Sequence, residues 1–184
     1  RNISPDYPKI GAMITVKTDT RNPLAHLTGN AEKVDIGNLG GKLLTGDFDL
    51  TDLPPSELAR QLTCWSYIRY YSIQRVELLD CAWEKPRLKH RAPNVVSMVT
   101  HFNRISNWTV HKILTTPNYK ERVQKISYFI DVMRHLFDMK NYFDTMGILG
   151  GLDSNELFRM KIHFSLLPQA DKDTLEKIQN ESTP

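Results

Sequence analysis

The 184-residue sequence predicts an all-α fold, a multi-helix orthogonal bundle preceded by a mostly irregular arm. Three observations carry this. After residue 46 the apolar residues return at intervals of three and four over long stretches, the period of a helix face, and no convincing strand alternation appears. Prolines, a Gly-Gly pair and capping residues stand at the ends of those stretches. The composition, 40% hydrophobic with aromatics spread along the chain, is that of about one folded domain.

Residues 1–45 differ in texture and read as an arm or linker to a helical domain over residues 46–184. Pro5, Pro8, Pro23 and the glycines at 37, 40, 41 and 46 interrupt every candidate helix, and Ile10 to Val16 suits a short strand or an extended tether. Gly37 to Lys42 (GNLGGK) looks like a phosphate loop. The Walker spacing fails, because Ile36 stands where the first glycine belongs and Leu43 replaces the hydroxyl that would hold Mg²⁺.

From Asp52 the chain turns helical. Thr51 or Asp52 caps, Pro54 and Pro55 fit a first turn, and Leu58, Leu62, Trp65 and Ile68 or Tyr67 form the inner face. A second helix spans about Arg75 to Trp83, with Val76, Leu79 and Trp83 inward. The run Lys85 to Arg91 is a solvated loop whose Lys85, Arg87, Lys89 and Arg91 also suit anionic lipid headgroups or an acidic partner. Arg91 to Leu114 is one long helix around which the rest is organised. Pro93 opens it, and Val95, Met98, Phe102, Ile105, Trp108 and Ile113 make its stripe, widened by Val96 and Val99. Phe102 and Trp108 are expected in the core. Tyr119 to Met139 carries two adjacent stripes and should be buried on most sides. Tyr142 to Leu149 ends at Gly150-Gly151. Asp153 then caps a helix with Glu156 as its capping-box partner, and this helix runs through Leu157, Met160 and Phe164 to Pro168. Ala170 to Glu181 forms a charged last helix.

No enzyme constellation emerges. The six histidines form no HExxH pair, Asp131 and His135 suit a surface hydrogen bond, and no nucleophile elbow occurs. Neither a cofactor, a metal nor a small-molecule substrate is implied. A net charge of +3 does not call for nucleic acid. Cys64 and Cys81 lack metal-site spacing and read as reduced thiols of a cytosolic protein. No apolar run reaches the length of a membrane span and no signal peptide opens the chain, which starts at Arg1 like a piece of something longer. Asn107 and Asn180 begin glycosylation sequons, the first in mid-helix beside a packing Trp, where chance explains it. The residues alone therefore describe a helical interaction module.

Seven short stretches go further: SELARQLT (Ser56–Thr63), ELL (Glu77–Leu79) with Trp83, APNVV (Ala92–Val96), FNRISNW (Phe102–Trp108), ERV (Glu121–Val123), NYF (Asn141–Phe143) and GLDSNELFRMK (Gly151–Lys161). In this order and spacing they resemble the catalytic domain of the Ras guanine-nucleotide exchange factor (RasGEF) family. The resemblance implies an all-helical domain that releases GDP from a Ras-like small GTPase of the Ras, Rap or Ral kind without making or breaking a bond. It implies a grip on the switch 2 segment through Thr100, Met146, Gly150, Asp153 and Phe158. It also implies a cytoplasmic protein, recruited to the inner face of the plasma membrane if the basic run engages lipid. A Ras-directed member has Arg at the position of Thr100 and Asn at that of Asp153, and the family often has Ser at Gly150, differences that bear on which GTPase is chosen. In the family a helical hairpin follows and opens switch 1. This chain stops at Pro184, before it, so the 184 residues alone are expected not to accelerate release, and apolar residues such as Phe129 or Val132 are expected to face water. The alternative is a non-catalytic scaffold of the same fold that binds a GTPase or another protein.

Overall fold

The computed structural model describes Lys42, Thr45 and residues 48–182, so the expectations for the arm, the Ile10–Val16 strand among them, lie outside the described residues. Among the described residues the secondary structure is helical, with no strand. A 3₁₀ turn at Leu50–Asp52 leads into α1 (Pro55–Tyr71). A 3₁₀ segment at Arg75–Cys81 and a 3₁₀ turn at Lys89–Arg91 precede α2 (Pro93–Leu114). Then follow α3 (Tyr119–Asp138), α4 (Tyr142–Leu152), the short α5 (Asn155–Phe158) and α6 (Lys161–Ser165), and α7 (Gln169–Ser182). The helix expected from Asp52 thus begins three residues later, with Pro55 as its first residue, where a missing N–H costs nothing.

The centre of the bundle is α3. It packs on α1, α2, α4, α6 and α7, and Ile126, Phe129, Ile130, Val132, Met133 and Leu136 are fully enclosed. These residues span an arc of roughly 160° around the helix, a wide apolar face that meets several neighbours at once. The organising role read into Arg91–Leu114 therefore falls to α3, and Phe129 and Val132 are core residues that do not face water. Asn118 starts α3 by accepting the Lys120 N–H at 2.9 Å. Of the two aromatics expected in the core from α2, Trp108 is partly buried edge-on against Phe129, centroids 5.2 Å apart, and Phe102 is partly buried against Phe143 at 5.4 Å.

Helices α2 and α4 run side by side in the same direction, since Phe102 meets Phe143, Ile105 meets Gly147 and Thr109 meets Gly151. A Cβ on Gly151 would sit 2.8 Å from the Ser106 carbonyl oxygen, and one on Gly147 would sit 3.2 Å from Ile105 Cγ2. Glycine at these two positions, one turn apart, lets the backbones approach. The Gly150-Gly151 pair accordingly lies inside α4, which continues to Leu152, and does not end it.

Two further expectations change. The segment Arg75–Cys81 is no amphipathic helix: it breaks where Leu79 turns extended and Asp80 and Cys81 adopt left-handed conformations, φ 58° and 48°. Its inward side chain is Glu77, while Val76 and Leu79 face solvent and Trp83 is partly buried. The Glu77 carboxylate explains this. It accepts the backbone N–H of Asn94 at 2.7 Å and of Val95 at 3.2 Å, and the Asn94 side-chain amide at 2.6 Å. It so caps α2, whose own N-cap, Ala92, offers no side-chain acceptor. Further on, the single helix expected from Asp153 is two short ones, α5 and α6, separated at Arg159 and Met160. The N-cap of α5 is Ser154, which accepts the Leu157 N–H at 3.5 Å, and Asp153 closes α4 instead.

Candidate functional site

Met146, Gly150 and Asp153 stand at i, i+4 and i+7 and so share one stripe along α4. Met146 is half-buried, and Gly150 and Asp153 are exposed. The stripe lies about a quarter turn around α4 from the Gly147–Gly151 edge that touches α2. Unlike those two glycines, Gly150 is not required by packing: a Cβ there would meet only Ser106 Oγ, at 3.8 Å. An exposed, unconstrained glycine inside a helix lowers helix stability by roughly 1 kcal/mol relative to alanine. The fold therefore supplies no reason for it, and what it leaves is a shallow notch between α4 and Ser106.

Asp153 accepts a hydrogen bond from Gln179 Nε2 of α7 at 3.0 Å. Burial of the carboxyl against these helix ends raises its pKa, partly offset by that bond. Phe158, at the end of α5, is 66% exposed, with Lys161 Nζ 5.4 Å from its ring centroid. Ile162 and Leu166 continue this apolar surface along α6. Arg122 braces α6 from behind. Its guanidinium donates twice to the Thr116 carbonyl, at 3.0 and 2.7 Å, and reaches His163 Nε2 at 3.4 Å, while Tyr119 lies against the His163 ring at 4.6 Å. Burial and the Arg122 cation lower the His163 pKa, so the ring is held neutral as an acceptor.

Thr100 is placed differently. It is exposed and donates back to the Val96 carbonyl at 2.7 Å. Five residues before Ile105, it lies roughly 140° around α2 from the face that meets α4. The structure thus groups Met146, Gly150 and Asp153 on one helix, sets Phe158 just beyond its end, and leaves Thr100 on the outer side of α2. Lys85, Arg87, Lys89 and Arg91 are all exposed, on the connection between α1 and α2.

A buried polar cluster, absent from the sequence reading, ties α1, α2 and α4 together beneath this surface. Ser66 Oγ donates to Asp144 Oδ2 at 2.6 Å and lies 3.0 Å from His101 Nε2. Asn141 Nδ2 reaches both Asp144 Oδ2 at 2.6 Å and Thr63 Oγ1 at 3.0 Å. The residues are those of a hydrolytic triad, but the geometry is not. The Asp144 Oδ1 carboxylate oxygen lies 3.5 Å from the same His101 Nε2 that faces Ser66, and all three side chains are buried. The arrangement serves registry: Ser66, His101 and Asp144 meet only when the three helices are correctly placed, although Asp144 Oδ1 itself accepts no hydrogen bond. Its signal in the sequence was polar residues at inward positions, Ser66 four after Leu62 and His101 between Met98 and Ile105. Asp131, for its part, pairs with Arg134 at 2.5 Å, not with His135.

Residues 57–184 match the sequence profile of the RasGEF domain. Ras guanine nucleotide exchange factor J of Dictyostelium discoideum is 36% identical over 135 residues, covering 71% of this chain and 16% of that protein. Ras-specific guanine nucleotide-releasing factor RalGPS1 of Mus musculus is 34% identical over 131 residues, 71% of this chain and 22% of that protein. Ras guanine nucleotide exchange factor A of Dictyostelium discoideum is 34% identical over 141 residues, 75% of this chain and 23% of that protein. The chain thus spans less than a quarter of the length of these relatives. With a profile match over most of its length and an all-helical fold among the described residues, the chain belongs to the RasGEF domain family.

Proposed function

We propose that this chain binds a Ras-family small GTPase and, in its full-length protein, promotes release of GDP by gripping switch 2. The relatives named for exchange or release activity on Ras support the partner class. The observation that carries the contact surface is the α4 stripe, with a glycine at 150 that the packing does not need, next to the exposed Phe158. Thr100 joins this surface only through a partner that reaches around α2.

The task is thermodynamic. A guanine nucleotide held at nM to pM affinity represents about 12–16 kcal/mol of binding. A protein displaces it by binding the empty GTPase more tightly than the loaded one, since a ligand with equal affinity for two states shifts nothing. The residues of the α4 stripe bind and orient, and the exchange needs no acid, base or nucleophile from this chain. The test is titration with nucleotide-free GTPases of the Ras, Rap and Ral kind, alongside release of a fluorescent guanine nucleotide in the full-length protein. Phe158→Ala should weaken binding and leave the thermal midpoint in place, whereas Met146→Ala, whose side chain also packs against the core, should weaken binding and lower the midpoint modestly. Unchanged affinity in both variants would remove the stripe from the contact. Tight binding without faster release would favour the reading as a non-catalytic scaffold.

A further inference from the structure

The connection between α1 and α2 has its amphipathy inside out. In the Arg75–Cys81 segment the enclosed side chain is Glu77, 3% exposed, whereas Val76, Leu78 and Leu79 are 66%, 54% and 62% exposed. The cause is the Glu77 carboxylate. Bound to the first N–H groups of α2, it pins residue 77 inward and turns its neighbours out. The left-handed Asp80 and Cys81 then break the segment, and the aliphatics before them are left exposed to solvent. The charge around it is one-sided. Arg75, Lys85, Arg87, Lys89 and Arg91 face two exposed carboxylates, Asp80 and Glu84. Lys85 Nζ donates to the Asp80 carbonyl at 2.7 Å. Among the described residues no hydrogen bond or ion pair engages the side chains of Arg75, Arg87, Lys89 or Arg91.

We propose that this face is a peripheral membrane contact, with Val76, Leu78 and Leu79 entering the interfacial layer of a bilayer and the cations lying against phosphatidylserine headgroups. Charge complementarity selects an anionic surface, and the exposed aliphatics supply the shallow burial that cations alone lack. A bilayer fits better than a partner helix, which needs a concave apolar groove. The concavity nearby, between α1 and α2, measures about 270 Å³ and is lined by Arg69, Ser72, Asn94 and Ser97 beside Trp65 and Ile68, so it is no apolar groove. This inference does not rest on the GTPase reading, which a titration in solution tests separately.

The experiment is co-sedimentation of the 184-residue chain with phosphatidylcholine vesicles, with and without phosphatidylserine, at low and at physiological salt. The unaltered chain should bind the phosphatidylserine vesicles and release them as salt rises. Arg87→Gln with Lys89→Gln should weaken binding roughly thirty-fold, about five-fold per cation. Leu78→Ser with Leu79→Ser should weaken it while keeping the preference for phosphatidylserine and the salt response. Both double variants alter exposed side chains, so their thermal midpoints should match that of the unaltered chain. The proposal is overturned if the unaltered chain ignores phosphatidylserine vesicles, or if either double variant binds as tightly as it does. It is equally overturned if the chain prefers polyglutamate to the vesicles, or self-associates through Leu78 and Leu79 without binding them.

Discussion

Glu77 and Gly150 break local rules in opposite ways. Glu77 is a carboxylate buried among helix termini. Burial alone would raise its pKa, but the bonds from Asn94, Gln74 and Val95 outweigh that and hold it below the ordinary 4.5. A carboxylate with a lowered folded pKa contributes stability above the unfolded value and loses it as pH falls through the folded one. Glu77→Gln should therefore lower the thermal midpoint at neutral pH, and the loss should shrink in acid as the native carboxylate itself protonates. A midpoint difference that stays constant across that range would deny Glu77 its capping role. At Gly150, alanine should raise stability by up to about 1 kcal/mol through helix propensity, because its Cβ meets only Ser106 Oγ at 3.8 Å. Alanine at Gly151 should lower stability, since its Cβ meets the Ser106 carbonyl oxygen at 2.8 Å. Paired denaturation curves give both signs. Read as letters, Gly150 and Gly151 were a helix stop. Only the position of α2 separates the glycine that packing requires from the one it does not.

At the scale of elements, long helices were legible and short ones were not. The segments that became α2, α3 and α7 fell within a residue or two of their expected bounds, because an apolar stripe sustained over three or more turns is a strong signal. Arg75–Cys81 and Asp153–Phe164 failed because each is shaped by one distant polar contact that periodicity cannot register. For the first the contact is Glu77 at α2. For the second, the contact within reach is that of Arg122 with His163 of α6, at 3.4 Å. The lowered His163 pKa means that the folded form takes up a proton less readily than the unfolded chain. This stability is present above the ordinary 6.5 and is lost as pH falls through the lowered value. Melting curves taken from about pH 7.5 to about pH 5.5 should fall more steeply for the unaltered chain than for His163→Gln. Parallel curves would show that α6 is held by other means.

For the whole molecule, α3 holds the core and the proposed contact surface lies on α4 and at Phe158, so the two should separate by mutation. Phe129→Ala, in the fully enclosed centre, should cost about 3–5 kcal/mol, a large part of the 5–15 typical of a domain. Phe158→Ala, at an exposed site, should leave the denaturation midpoint almost unchanged. Equal losses in chemical denaturation would mean that Phe158 also packs. The all-helical class was readable from period and punctuation, and the family from seven short stretches in order. The choice of α3 as the hub was not, because two helices with comparable stripes compete for the centre and only three-dimensional packing decides. The stripe of Met146, Gly150 and Asp153 follows from helical spacing once α4 is known to run unbroken to Leu152, which the Gly-Gly pair had concealed.

The close approach of α2 and α4 also divides the labour of variation along one short helix. Gly147 and Gly151 are in contact with Ile105, Ser106 and Thr109: a side chain at Gly151 would press on the α2 backbone, and one at Gly147 would press on the Ile105 side chain. A quarter turn away, Met146, Gly150 and Asp153 can be rewritten with little effect on that contact. On the proposed contact surface, partner choice would then drift through substitutions a single helical step from the packed glycines of α4, while the scaffold keeps its shape.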